Sequence, residues 1–421
     1  MRENNRGIFL IQLIEYQYLI MKKIFQFHFF ILCLLSACKP HSQQIDNEKK
    51  TQKEIIIQKE IRVGAERIEQ YIGLLKNKRV AMVVNQTSMV GNAHLVDTLL
   101  SLGVKIQKIF APEHGFRGLA DAGEKIDNSI DAKTKLPLVS LYGKNKKPSQ
   151  EQLADIDIVL FDIQDVGARF YTYISTMHYV MEACAENQKT CLILDRPNPN
   201  GHYVDGMILE TKHQSFVGMH PIPVVHGLTV AELAKMIVGE KWIQQNIDLQ
   251  FVTCENYTHN TSYSLPVRPS PNLPNDRAIA LYPSLCFFEG TVVSVGRGTD
   301  SPFQIIGAPE YQDFAFSFTP QPSVGSKNPM YNGIKCFGKD LRENVFYEHP
   351  FFLTELITFY QKYPKKEAFF NDFFTKLAGT EKLRQQIESG MSENEIRLSW
   401  QEDLKKYKMM RKKYLLYPDF E

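Results

Sequence analysis

Between residues 79 and 194 the chain alternates short apolar runs with longer amphipathic stretches. Residues 79–85 (RVAMVVN), 104–110 (VKIQKIF), 156–161 (IDIVLF) and 191–194 (CLIL) are brief and rich in Val, Ile and Leu. Such runs fit strands buried on both faces. Residues 94–102 (HLVDTLLSL) and 168–187 (ARFYTYISTMHYVMEACAEN) read as helices, the second with an apolar face. A further helix over 226–239 has a legible start, because Thr229 can cap it and Glu232 follows three residues later as a capping box. This βαβ rhythm predicts an α/β fold, a Rossmann-like and largely parallel sheet covered on both faces.

The rhythm stops near residue 255. Residues 266–309 are rich in Pro and Gly and read as structured loops. Residues 351–363 predict a helix, and 369–421 are helical and charged, the closing basic run reading as a solvated helix face. A domain boundary is therefore expected between 250 and 260, dividing 64–255 from 256–421.

The N-terminus has a different pattern. Residues 21–38 (MKKIFQFHFFILCLLSAC) place two lysines before an apolar stretch too short for a comfortable membrane span. The stretch ends in Leu35-Ser36-Ala37-Cys38, which resembles a bacterial lipoprotein box. Residues 1–38 are thus expected to be a signal peptide with translation starting at Met21, and Cys38 to be lipidated. Residues 39–63 are expected to form a polar tether, holding the protein in the cell envelope through the membrane.

Composition narrows the function. Hydrophobic residues are 43% and charged residues 23%, a globular balance. Lys plus Arg is 49 against 47 Asp plus Glu, so no basic excess supports nucleic-acid binding. Beyond Cys38 the cysteines are Cys184, Cys191, Cys254, Cys286 and Cys336, with neither CxxC nor zinc-finger spacing. Neither GxGxxG after the first strand nor GxxxxGK[ST] occurs, and GxSxG and HExxH are absent, so nothing points to a cofactor.

Ligands of parallel sheets bind outside the carboxyl ends of the strands. There this chain concentrates polar groups: Asn85 after the first strand, Glu113, His114 and Arg117 after the second, Asp162, Gln164, Asp165, Arg169 and Tyr171 after the third, Asp195, Arg196 and Asn198 after the fourth. Paired carboxylates suit glycoside cleavage, which needs an acid for the leaving oxygen and a second carboxylate for water, attack or charge stabilisation. Glu113, between Pro112 and Phe116, is expected to be the acid, with Asp162 or Asp165 as its partner and His114 orienting it or binding hydroxyls. Asp162, Asp165, Glu113 and His114 could alternatively hold a divalent ion, as in a metal-dependent hydrolase. A non-catalytic glycan-binding lipoprotein is the other alternative.

Several longer motifs carry a resemblance: PEHG at 112–115, FDIQDVG at 161–167, LDRPNPNG at 194–201, PSPNLP at 269–274, YPS at 282–284, EGT at 289–291 and SVGRGTDSPF at 294–303. In this order, within a similarity running from about 64 to 418, they resemble the NamZ-like exo-β-N-acetylmuramidase family, formerly a domain of unknown function. The resemblance implies a Rossmann-like domain joined to a smaller C-terminal α/β domain, with the cleft between them. It also implies release of N-acetylmuramic acid (MurNAc) from the non-reducing ends of peptidoglycan fragments, MurNAc-GlcNAc saccharides being the partners. Glu113 matches the acidic residue of the family's PEHG motif, and Gln164–Gly167 and Gly296–Thr299 match its QDVG and GRGT motifs, Val295 being the one departure. MurNAc carries a lactyl carboxylate, which an Arg can grip bidentately. Arg297 in its glycine-flanked loop is the first expectation, with Thr299 beside it and Arg117, Arg169 and Arg196 behind. Tyr171, Tyr173 and Tyr282 can stack on sugar faces.

Overall fold

A computed structural model describes residues 59–113, 115–116, 129–343 and 347–421. The expected signal peptide, Cys38 and most of the tether lie outside these residues, as do His114 and Arg117. No described helix is long and apolar enough to cross a membrane.

The centre is a seven-stranded sheet of β1 (Arg79–Val84), β4 (Lys105–Ala111), β5 (Ser129–Ile130), β6 (Pro137–Ser140), β7 (Ile158–Asp162), β8 (Thr190–Leu194) and β9 (Asp248–Val252). Its order is β5-β6-β4-β1-β7-β8-β9, parallel throughout except for the β5–β6 edge pair. The small hairpin of β2 (Met89–Val90) and β3 (Ala93–His94) lies outside this sheet. Burial on both faces explains the continuous apolar runs. Ala81, Val83, Val159, Phe161, Cys191 and Ile193 point into one core, whereas Val80, Met82, Val84, Leu160, Leu192 and Leu194 point into the other. Each large apolar side chain so buried contributes about 1.5–3 kcal/mol.

The first core continues without a break into the C-terminal part, taking in Phe287, Phe351, Phe359, Phe369 and Phe374. That part holds an antiparallel sheet of β10 (Ile305–Ala308), β11 (Phe316–Phe318) and β12 (Cys336–Asp340), in the order β10-β12-β11, and helices between Thr354 and Arg411. The α/β class and the smaller C-terminal part are thus as expected.

Two local expectations need correction. The helix expected from 168 begins at Tyr173. Residues 168 and 169 instead pair with the 224–225 segment, Ala168 bridging Val225 and the Arg169 N–H donating to Val224 O at 2.8 Å. Residues 266–309 are not all loop. A helix, Asp276–Leu285, starts on the Asn275 side chain, which accepts from the Ala278 N–H at 3.0 Å. Pro283 lies inside it and cannot donate to Ile279 O, four residues back. The Asn200 Nδ2 donates to that carbonyl instead, at 3.2 Å.

Candidate active site

The doubly wound order reverses between β1 and β7, so an open crevice is expected at their carboxyl ends. There the protein's own polar groups pair with one another. Asp162, at the end of β7, is fully buried and gripped by Arg196, Nε to Oδ1 at 2.6 Å and Nη2 to Oδ2 at 2.9 Å. The Thr87 Oγ1 donates to Asn85 Oδ1 at 2.6 Å and accepts from the Gln164 N–H at 3.0 Å. Gln164 Nε2 donates to Asp165 O and Pro197 O.

Most of the strand-end candidates are therefore bracing residues. Arg196 is consumed by Asp162, and neither lines the cavity described below. Asp165 accepts from the Gly167 N–H at 2.7 Å and stands 3.8 Å from His226 Nε2. Asn198 accepts from the Asn200 N–H at 2.8 Å and donates to Leu228 O. It packs so closely on Gly167, whose φ is 76°, that a Cβ there would stand 2.2 Å from its Oδ1. Asp195 holds the start of helix Val230–Gly239 through the Ala231 N–H at 3.0 Å and accepts from the Tyr417 hydroxyl at 2.6 Å. Burial pushes its carboxyl up to about 6. Arg169, fully buried, donates to four carbonyls. Thr299 closes its own turn, donating to Gly296 O at 2.7 Å. Most of the polarity at these strand ends meets backbone and side-chain partners, while Asn85 Nδ2, Asp165 Oδ1 and Arg169 Nε are buried without one, and no group of three or more His, Cys, Asp or Glu suited to a metal occurs among the described residues.

The chemistry collects beside this network, in a cavity of about 240 Å³. Glu113, just beyond β4, lines it together with Tyr171, Tyr173, Tyr282, Glu289 and Arg297. Glu113 Oε2 accepts from the hydroxyl of Thr172, the residue that precedes helix Tyr173–Glu186, at 2.7 Å. Tyr173 ties the wall together through Pro269 O at 3.3 Å. Tyr171 and Tyr282 meet edge to face, their centroids 5.8 Å apart. Burial pushes the phenols of Tyr171, Tyr173 and Tyr282 up, so all three remain protonated at neutral pH.

On another wall Arg297 Nε donates to Glu289 Oε1 at 2.7 Å, and both side chains are 23% exposed. Burial opposes the charge of Arg297, but the carboxylate of Glu289 outweighs it and holds the guanidinium pKa up. Cys286 donates its thiol to Glu289 Oε2 at 3.6 Å, burial having pushed that thiol up. The cavity thus holds two carboxylates, and Glu289 was not among the residues expected. Its EGT motif was visible, but it follows no strand of the parallel sheet. Of the arginines expected to face the crevice, only Arg297 among the described ones reaches the cavity.

A larger cavity of about 380 Å³ opens between the 207–210 segment and the last helices. Its Glu210 is engaged by the Thr380 hydroxyl at 2.7 Å and by Lys382 at 3.4 Å, and none of the expected site residues lines it.

Comparison with known proteins agrees with the motif reading. Family models described as exo-β-N-acetylmuramidase NamZ, N-terminal and C-terminal, match residues 80–277 and 280–417. The peptidoglycan β-N-acetylmuramidase NamZ of Bacillus subtilis (strain 168) is 39% identical over 377 residues, covering 83% of this chain and 89% of that protein. Two crystal structures of DUF1343 family proteins from Bacteroides fragilis are also similar. One is 47% identical with a TM-score of 0.80, covering 86% of this chain and all of the other. The second is 28% identical with a TM-score of 0.72, covering 85% and 99%. Matched across both halves, the chain belongs to the NamZ exo-β-N-acetylmuramidase family.

Proposed function

We propose that this protein is an exo-acting glycoside hydrolase that removes MurNAc from the non-reducing ends of peptidoglycan fragments. The observation that carries the reading is the cavity itself, where Glu113, aromatic rings and a fixed arginine surround one space of about 240 Å³.

Glu113 is the general acid in this account. It stands on the rim of the sheet, half-buried, against the Thr172 hydroxyl and in one cavity with three tyrosines. It gives its proton to the glycosidic oxygen as the bond to the departing sugar breaks, and water supplies the hydroxyl that ends on the anomeric carbon of MurNAc. Arg297 takes the lactyl carboxylate, the group that separates MurNAc from GlcNAc. The rings of Tyr171, Tyr173 and Tyr282 supply apolar faces for the sugar. The lipoprotein box at Leu35–Cys38 would put the enzyme in the envelope, beside its substrate. The test is to incubate the soluble chain, residues 39–421, with MurNAc-GlcNAc and with longer MurNAc-ended chains. Free MurNAc should appear first and alone from each longer chain. Release of internal disaccharides, or no cleavage, would end the reading.

A further inference from the structure

Arg297 is held on several sides. It lies between Gly296 (φ 77°) and Gly298 (φ 81°), left-handed positions that favour glycine. A Cβ at Gly296 would stand 2.5 Å from Ile305 Cγ1, and one at Gly298 2.6 Å from Gln321 O. The turn is therefore packed from beneath, and Arg297 is the side chain that leaves it for the cavity. Its guanidinium carbon stands 5.1 Å from the centroid of the Phe303 ring. Glu289 holds the Nε edge. Glu289 is itself fixed, because Cys286 donates to its second oxygen and the next residue, Gly290, sits so close to Phe374 that a Cβ would stand 2.4 Å from Phe374 Cα.

A guanidinium carries five N–H donors in a rigid fork. A single contact at Nε leaves the two Nη groups side by side, and that edge matches a carboxylate with two parallel hydrogen bonds. Among the described residues, the one hydrogen-bond partner of Arg297 is Glu289, at Nε. We propose that Glu289 is a specificity-positioning residue, which holds Arg297 by Nε and so presents its Nη edge end-on to the lactyl carboxylate of the sugar. This rests on the reading of Arg297 given above.

The proposal has a consequence that sets it apart from simple charge balance. Glu289 is an anion next to the site of another anion, so its charge alone weakens carboxylate binding. Its hydrogen bond to Arg297 strengthens that binding by fixing the fork. Glu289→Gln retains an acceptor oxygen for Nε and removes the repulsion, whereas Glu289→Ala removes both.

Titration calorimetry with free MurNAc and with its methyl ester separates these effects, the quantity read being the ratio of ester Kd to acid Kd. In the wild type this ratio should lie at about 10–150, the value of a charge-assisted contact. Glu289→Gln should equal or exceed it, and Glu289→Ala should lower it at least about fivefold, losing most of that contact. If the alanine variant does not fold by circular dichroism, Glu289→Asp, whose acceptor is drawn back by one methylene, should lower the ratio in its place. An alanine or aspartate ratio within twofold of wild type overturns the proposal. So does a glutamine ratio that falls as far as the alanine ratio. Arg297→Lys distinguishes the two layers. If it loses the ratio while Glu289→Ala keeps it, only the positioning role fails. If Arg297→Lys also keeps it, the reading of Arg297 fails and this proposal with it.

Discussion

Replacing Arg169 with Met should destabilise the fold by about 4 kcal/mol and leave sugar preference intact. The fully buried guanidinium donates to Met207 O at 2.7 Å, Ile222 O at 2.9 Å, Leu377 O at 3.0 Å and Ala378 O at 2.7 Å. Leu377 and Ala378 end the helix Phe373–Ala378, where carbonyls lack intrahelical partners. Hydrogen bonds from a charged donor contribute about 1.5–3 kcal/mol each, so four give roughly 6–12 kcal/mol. Burial of the charge opposes them. It pulls the guanidinium from 12.5 down to about 9, a cost of about 5 kcal/mol. The balance is about 1–7 kcal/mol in favour of Arg, centred near about 4 kcal/mol. Met fills much of the same volume, so the cavity term stays small. Urea unfolding gives the stability, and kcat/KM on MurNAc and GlcNAc glycosides gives the preference. The preference should stay within about threefold of wild type, under about 0.7 kcal/mol. A variant as stable as wild type, or one that is stable and has lost the preference for MurNAc, would refute this reasoning.

Three further outcomes follow from other parts of the chain. Arg297→Lys should lose most of the MurNAc-over-GlcNAc preference in kcat/KM, about 10–150-fold, with an unchanged circular dichroism spectrum; an unchanged ratio would remove Arg297 as the reader. Burial pushes the Asp195 carboxyl up to about 6 from its ordinary 3.8. The native state therefore binds more protons between about pH 4 and 6, and stability falls as pH rises through that window, by about 3 kcal/mol at pH 7. Asp195→Asn should flatten that slope in urea midpoints taken from pH 4 to 7, and a slope equal to wild type would contradict it. Cys38→Ser should accumulate unprocessed precursor, whereas a native N-terminus found elsewhere and without lipid by mass spectrometry would sink the anchoring proposal.

The parallel sheet was legible because burial on both faces writes itself into the strands as continuous apolar runs. β1, β4, β7 and β8 all lie where those runs placed them, within a residue or two. The helix at 276–285 was not legible, because Pro283 reads as a breaker until Asn200, far away in sequence, is seen to serve the freed carbonyl. The site was legible in part. Glu113, Tyr171 and Arg297 do share a cavity. Asp162 and Arg196 stand out as strongly in the sequence, yet they neutralise each other across 34 residues, and only coordinates reveal that pairing. Strand-end polarity marks a place that needs hydrogen bonds and does not say whether protein or ligand supplies them. Glu289 was missed for the converse reason, since its segment joins the cavity from the C-terminal part and follows no strand of the sheet.

The central claim is that Glu113 cleaves the MurNAc glycosidic bond as its acid. The most direct measurement compares wild type with Glu113→Gln on MurNAc-GlcNAc, following free MurNAc, and on a chromogenic MurNAc glycoside whose leaving group needs no proton. The variant should lose about 10²–10⁴-fold on the disaccharide and markedly less on the chromogenic substrate. A Glu113→Gln enzyme as active as wild type on the disaccharide would contradict the account.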